Sequence, residues 1–171
     1  RPNDRIGVVV YAAEAYTKTP VTSDKAIVKE AISDILNRIA TTKGTAAKVI
    51  ALQEADSVQL KQVLRLIYDD TIEFLLPDTP PPFKDNELVD LDTMLYREAR
   101  RLRIFFLGGG YDNLNKNRRE ALFIQLLEDL NPKDSKILAE NMLSHKPIKG
   151  LTKKTLEAAF PTLFTDPLNF R

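Results

Sequence analysis

The chain has 171 residues, a length typical of a single domain that buries a core of its own. It contains no cysteine and one histidine, which excludes a disulfide framework, a thiolate zinc site, a cysteine nucleophile and a multi-histidine metal site. The formal net charge is +1, from 25 basic and 24 acidic residues, so no overall bias points to nucleic acid or to an anionic membrane.

The N-terminal part carries the least regular pattern. Its apolar run from Ile6 to Ala13 is interrupted by Gly7 and is far shorter than the ~20 residues that a membrane span needs, so we predict no membrane association. Residues 5–16 fit either a strand or a helix. We therefore treat residues 1–22 as an N-terminal extension and residues 23–171 as a single helical domain.

Three helices are predicted before residue 70. In Ser23–Ala40, apolar residues recur in pairs at i and i+4, a pattern that only a helix gathers on one face, and Ser23 is suited to cap it. The next two helices are predicted at Thr45–Glu54 and Ser57–Asp69, with Asp56 or Ser57 as the cap of the third.

The chain then changes character. Thr71–Leu76 is predicted to be a short extended segment, and the consecutive prolines Pro80, Pro81 and Pro82 favour a stiff polyproline-like conformation. We interpret residues 77–83 as a rigid connector between two helical halves, an interpretation that we favour over a ligand for an aromatic-lined groove.

The second half is again helical. Pro132 suits the first turn of one of its helices and Thr152 suits the cap of another. The predicted helices are Leu88–Phe106, Arg118–Leu130, Lys133–Leu143 and Lys153–Ala159. We thus expect a mainly α fold, with six to seven short helices in a compact bundle. A minor two- or three-stranded β element on Ile72–Leu76 stays open, with Ile6–Tyr11 as a candidate partner strand.

The charge is distributed unevenly along the chain. Residues 54–96 hold ten acidic and three basic side chains, whereas residues 97–119 hold seven basic and two acidic ones. The basic residues form a candidate binding surface, which can engage phosphates through Coulomb attraction and counterion release. We favour the alternative that the arginines pair with acidic side chains inside the fold or at a protomer contact. The candidate residues are Arg97, Arg100, Arg101, Lys116, Arg118, Arg119, Lys149, Lys153 and Lys154.

Other motifs give weaker signals. Gly108-Gly109-Gly110 could surround an anion with N–H groups, but it follows a helix and lacks the Lys-Ser/Thr of a phosphate loop, so we interpret it as a helix C-cap and turn. His145 is interpreted as a solvated loop side chain and Asp69-Asp70 as a solvated turn. No pattern predicts a catalytic residue, a metal or a cofactor, and we expect a protein that is not an enzyme.

Several segments between about Ile32 and Phe164 occur together in a distinctive order. They are Lys48-Val-Ile-Ala-Leu-Gln, Leu60-Lys-Gln-Val-Leu-Arg, Ile72-Glu-Phe-Leu-Leu-Pro, Thr79-Pro-Pro-Pro-Phe, Leu95-Tyr-Arg-Glu-Ala-Arg-Arg-Leu, Gly109-Gly-Tyr-Asp-Asn-Leu-Asn-Lys, Arg119-Glu-Ala-Leu-Phe-Ile-Gln-Leu-Leu-Glu, Asn131-Pro-Lys-Asp-Ser-Lys, Lys149-Gly-Leu-Thr-Lys-Lys and Glu157-Ala-Ala-Phe-Pro. Through them the chain resembles a family of small, uncharacterised proteins of T4-like tailed phages, including cyanophages. Residues 1–22 lie outside the resemblance.

The resemblance implies an origin and a location, but no mechanism. It places the protein in the cytoplasm of an infected bacterial host or in the virion. We expect a phage accessory protein that binds a host or phage protein. Two alternatives are a nucleic-acid-binding protein that uses the basic surface and a virion structural or assembly component. The oligomeric state stays open.

Overall fold

The computed structural model describes residues 31–86, 95–168 and 170, all within one compact unit that spans Ala31–Arg171. A 3₁₀ segment, Ala99–Phe105, extends the fourth helix, and a π-helical segment, Leu138–Met142, extends the sixth. The seven α-helices of these residues confirm the mainly α prediction. They are α1 Ile32–Thr41, α2 Thr45–Glu54, α3 Val58–Tyr68, α4 Leu95–Glu98, α5 Lys116–Asp129, α6 Pro132–Ile137 and α7 Lys153–Ala159.

The boundaries of several helices agree with the sequence-based expectation. Helices α2 and α7 begin and end at the predicted residues. Helix α3 is capped by Ser57, whose side chain accepts a hydrogen bond from the Leu60 amide at 3.1 Å. The prediction of one continuous helix over residues 23–40 is wrong at Ala31, which is extended, and α1 begins after it. Residues 23–30, with the predicted Ser23 cap, lie outside the described residues.

The core forms where the apolar faces of the helices meet. Helix α2 packs against α7, while α6 packs against both α5 and α1, and the π-helical segment packs against α3. Helix α1 has an apolar face because its isoleucines and leucine are spaced for one side of a helix. Its fully buried members include Ile32, Ile35, Leu36 and Ile39. No described helix is both long enough and apolar enough to cross a membrane.

A buried carboxylate joins the starts of two helices. Asp134, in the first turn of α6, is completely buried. One of its oxygens accepts a hydrogen bond from the Ser33 amide of α1 at 3.0 Å, and the other accepts one from the Leu95 amide of α4 at 3.2 Å. Because the first amides of a helix have no partner inside it, this one side chain caps two helices and fixes both against α6.

The minor β element is reduced to a single bridge. Phe74 pairs with Phe106 in antiparallel fashion, and the Leu75 amide donates to the Phe105 carbonyl at 2.8 Å. The predicted extended segment therefore pairs with residues at the end of the predicted Leu88–Phe106 helix, where Phe106 is extended. The candidate partner strand Ile6–Tyr11 and residues 88–94 of that helix lie outside the described residues.

The C-terminal end of α3 is fastened to the segment that precedes α7. The hydroxyl of Tyr68 donates to the Leu151 carbonyl at 2.6 Å and accepts from the Ile148 amide at 2.9 Å. Burial raises the pKa of Tyr68 to about 12, so the phenol stays neutral in the folded protein over the physiological range.

Asp69 closes α3 and is buried, so its interpretation as part of a solvated turn is wrong. Its carboxylate accepts hydrogen bonds from the amide and hydroxyl of Thr71 and, at 3.1 Å, from Nε of Arg65. Burial acts to raise the pKa of Asp69, but the hydrogen bonds from Thr71 and the Arg65 guanidinium outweigh it, and the pKa lies below its ordinary value of 3.8.

Replacing Asp134 by alanine should remove about 2–5 kcal/mol from the free energy of unfolding, because two buried amides lose their acceptor. Asp134→Asn should cost less, since one carbonyl oxygen remains. Urea denaturation followed by circular dichroism measures both. The matched control is Asp34→Ala, which removes a partly exposed carboxylate that pairs with Lys133 at 3.1 Å and should cost at most about 1 kcal/mol. Equal losses for the Asp134 and Asp34 variants would contradict the double cap.

Asp69 should make folding stability depend on pH. Its carboxyl holds a proton less tightly in the folded state than in the unfolded state, so ionisation favours folding above pH 3.8, and this contribution disappears as the pH falls through the lower folded-state pKa. Asp69→Asn should therefore cost about 1–3 kcal/mol at neutral pH, and the difference from wild type should shrink below pH 3.8. Denaturation series at several pH values test this, with exposed Asp70→Asn as the control. A gap that stays constant with pH contradicts the assignment.

Candidate functional site

The triple glycine makes a tight turn that returns the chain to the preceding 3₁₀ segment. Gly108 and Gly110 have φ of +88° and +99°, values that favour glycine. A Cβ atom at Gly109 would lie 1.9 Å from the Arg103 carbonyl oxygen, so only glycine fits there. The turn brings the Tyr111 ring to 5.3 Å from the Arg103 guanidinium.

Two of the three glycine amides are used inside the turn and do not point to an anion as the phosphate-loop alternative requires. The Gly108 amide already donates to Oδ1 of Asp112 at 2.9 Å, and the Gly109 amide donates to the Phe106 carbonyl at 3.2 Å. The helical segment ends before the glycines, at Phe105, so the triple glycine is a turn, as predicted, but not the C-cap itself.

The 3₁₀ segment and this turn enclose a cleft of about 380 Å³. The cleft is lined by three arginines of the 3₁₀ segment and by two aromatic residues, one after the glycine turn and one near the C-terminus. Its lining residues are Arg100, Arg101, Arg103, Ile104, Tyr111 and Phe170. We call this depression the arginine cleft. Two of the predicted candidates, Arg100 and Arg101, thus lie together in a concave site, and Arg103 joins them.

The arginines of this region differ in their electrostatic state. Arg101 pairs with Glu98 at 2.8 Å and with Asp129 at 3.8 Å, which agrees with the alternative that acidic side chains neutralise the basic cluster. Arg97 and Arg100 are exposed, and neither forms an ion pair or a side-chain hydrogen bond within the described part of the chain. Among the described residues, positive charge without an acidic partner therefore remains at Arg97, at Arg100 and at Arg103, whose side chain bonds only the neutral Tyr111 hydroxyl.

Arg119 is buried and is not part of an exposed binding surface, contrary to its place among the candidates. Its side chain is 5% exposed, and its guanidinium donates to the carbonyls of Ile104 at 3.1 Å and Tyr111 at 2.6 Å. A guanidinium carries five N–H donors, so it can bond several carbonyls at once. Arg119 holds the two walls of the arginine cleft together from behind.

The other candidate residues are exposed but do not line the cleft. Lys116 and Arg118 lie in the first turn of α5, which holds no acidic residue, so their charge adds to the positive end of the helix dipole. Lys149 lies in the segment before α7, and Lys153 and Lys154 begin that helix. Lys153 sits over the Phe164 ring at 4.7 Å.

A second depression adjoins the arginine cleft. About half of its lining surface is polar, from Arg103 and backbone atoms, but most of its side chains are apolar, and for these side chains we call it the apolar depression. Its lining includes exposed Leu107 and Leu168, and it shares Arg103 and Phe170 with the cleft. Leu107 and Leu168 are 51% and 37% exposed, and both are large apolar side chains. The sequence does not predict this depression, because Leu107 and Leu168 are about sixty positions apart. Periodicity shows only which residues share a face of one helix.

His145 is held by the backbone and is not a solvated side chain, contrary to the sequence-based interpretation. Nδ1 lies 3.3 Å from the Ile67 carbonyl, Nε2 lies 2.8 Å from the Ile72 carbonyl, and the ring packs against Phe74 with centroids 5.2 Å apart. Both nitrogens thus face structural partners and not a reacting group. Over the described ranges, no three acidic or histidine side chains gather in a way that could hold a metal ion.

Together these features define a mainly helical protein with an exposed arginine cleft beside an apolar depression. The sequence pattern of the Family of unknown function (DUF6433) matches residues 35–146, about two thirds of the chain. The chain belongs to this family. The matched range contains the arginine cleft except for Phe170, and it excludes Lys149, Lys153 and Lys154. Neither a curated protein nor a solved structure matches the chain.

Arg118 is exposed and Arg119 is buried, so the same substitution made separately at each position should affect stability differently. Arg119→Met should lower the free energy of unfolding by about 1.5–3 kcal/mol, because buried carbonyls lose a charged donor. Arg118→Met, at an exposed position, should change it by less than about 0.5 kcal/mol. Urea denaturation of both variants measures the difference. Similar values for the two would mean that Arg119 does not hold the cleft.

Proposed function

We propose that this protein is a non-enzymatic accessory protein of a T4-like tailed phage, and that it acts by binding a host or phage protein. The observation that carries the proposal is the exposed surface formed by the arginine cleft and the apolar depression. Phage origin, and with it a location in the infected cytoplasm or in the virion, rests on the sequence resemblance.

The composition of this surface supports a protein partner. Arginine and tyrosine are enriched among the residues that dominate protein–protein binding energy, and exposed leucines supply apolar area. Arg100, Tyr111 and Leu107 bring all three types to one face of the molecule. Three of the five exposed large hydrophobic side chains in the described part of the chain, Leu107, Tyr111 and Leu168, line one of the two depressions.

The charge distribution gives less support to nucleic acid. Affinity for nucleic acid comes mainly from many cations that neutralise phosphates. Here Arg119 is buried and Arg101 is paired with two carboxylates, so the free cations near the cleft are fewer than the sequence suggests. Arg97, Arg100, Arg103, Lys116 and Arg118 remain, and they keep nucleic-acid binding as the alternative to be tested.

Affinity purification from infected cells, followed by mass spectrometry, tests the proposal. The bait is the full chain, as wild type and as the double variant Arg97→Glu/Arg100→Glu, which leaves the ion pairs of Arg101 intact. We expect at least one phage or host protein that is recovered with wild type after nuclease treatment and is reduced at least about tenfold with the variant, as expected when central charged contacts are reversed.

The matched control is Lys149→Glu/Lys154→Glu, which makes the same change of charge away from the cleft. It should retain the partner. Identical recovery with all three baits would contradict the proposal, and recovery that nuclease abolishes would favour the nucleic-acid alternative.

A further inference from the structure

The two depressions on the proposed surface are neighbours with different chemistry. They share Arg103 and Phe170, which form the ridge between them. One is the arginine cleft, and the other, of about 430 Å³, is bordered by Phe106, Leu107 and Leu168. A ligand with an anionic group close to an apolar group can contact the arginines of the first depression and the leucines of the second.

The arginine cleft is prepared to receive a carboxylate. Arg100 lines it without an ion-pair partner among the described residues. Arg103 is exposed, but its guanidinium is held over the Tyr111 ring and donates to the tyrosine hydroxyl at 3.3 Å. A guanidinium that is already oriented loses less conformational entropy on binding, and its planar fork matches a carboxylate.

The apolar depression is prepared to receive a large aliphatic or aromatic side chain. Leu107 and Leu168 keep much of their surface exposed, and Phe170 packs against Phe106 with ring centroids 5.4 Å apart, which gives the depression a firm floor. Covering these side chains would remove apolar area from water, which favours binding.

From this arrangement we infer that the two depressions together bind an acidic, apolar peptide segment of a partner protein. An aspartate or glutamate of the segment pairs with Arg100 and Arg103, and a neighbouring leucine or phenylalanine fills the apolar depression. Charge complementarity selects the acidic residue, and the adjoining depression selects the apolar one. The inference deepens the proposed function and rests on it, since it names the chemistry of the partner.

The same geometry disfavours a single-stranded nucleic acid as the occupant. Bases bind single-strand sites by stacking on free aromatic faces. Arg103 already covers one face of the exposed Tyr111 ring, and Phe170 is buried. Leu107 and Leu168 offer aliphatic surface, which has no flat face for a base.

Fluorescence anisotropy with the purified full chain tests the inference. The probe is a short labelled peptide of Asp-Leu-Glu-Phe repeats. Two comparison peptides replace either its acidic or its apolar residues by serine, and a third probe is a labelled oligothymidylate of similar length. We expect the parent peptide to bind at least about tenfold more tightly than each of the other three probes, because each loses the contribution of one depression.

Variants assign the binding to the two depressions. Arg100→Glu and Leu107→Ser should each raise the Kd of the parent peptide about tenfold, whereas Lys154→Glu should leave it within about twofold, because that lysine lines neither depression. Both altered positions are exposed, and circular dichroism confirms that the variants are folded.

Three results would overturn the inference. They are absence of peptide binding, equal affinity for the peptide that lacks apolar residues, and tighter binding of the oligothymidylate. If peptide binding fails while a partner from infected cells still depends on Arg97 and Arg100, the proposed function stands and only the chemistry of the partner is wrong. If both tests fail, the proposed function fails as well.

Discussion

The position of the cleft depends on one buried carboxylate. Asp134 accepts hydrogen bonds from the Ser33 amide of α1 and the Leu95 amide of α4. Helix α4 continues directly into the 3₁₀ segment that carries Arg100, Arg101 and Arg103. Within the described ranges no cation pairs with this carboxylate, and amides at two helix starts donate to it. The side chain of Asp134 thereby positions the start of α4 and the 3₁₀ segment that follows it.

Buried and exposed arginines contribute differently to this surface, because a buried one bonds the backbone and exposed ones line the cleft. Arg119 bonds the carbonyls of Ile104 and Tyr111 and so joins the end of the 3₁₀ segment to the residue that follows the glycine turn. Gly109 allows the close approach that this requires. With the framework fixed from behind, Arg103 rests on Tyr111, while Arg100 stays free at the surface. The same residue type therefore stabilises the fold at one position and stays exposed at another.

Local signals in the sequence predict much of this fold. Periodicity and capping residues locate α2, α3 and α7 closely, because a helix repeats within a few residues and its cap lies next to it. They do not predict the break at Ala31, since the cap that starts α1 comes from Asp134, about one hundred positions away. They also miss the 3₁₀ geometry of Ala99–Phe105, where pairing of Phe74 with Phe106 pulls the end of the segment into extended form.

The candidate site is less predictable from the sequence because it, too, depends on contacts between residues that are distant in sequence. The run of basic residues indicates where positive charge lies, but only the fold distinguishes free Arg100 from paired Arg101 and buried Arg119. The apolar depression has no local signal, because it joins the glycine turn to Leu168 and Phe170 near the end of the chain. Such sites depend on tertiary contacts between segments that are distant in sequence.

We propose that this framework presents the arginine cleft and the apolar depression as one binding surface. The most direct test of this proposal is a two-dimensional ¹H–¹⁵N spectrum of the full chain during titration with the acidic, apolar peptide. We expect the shifted amides to cluster in residues 97–111 and at Leu168 and Phe170. Shifts centred on α2, on α7 or on Lys149–Lys154 would contradict it.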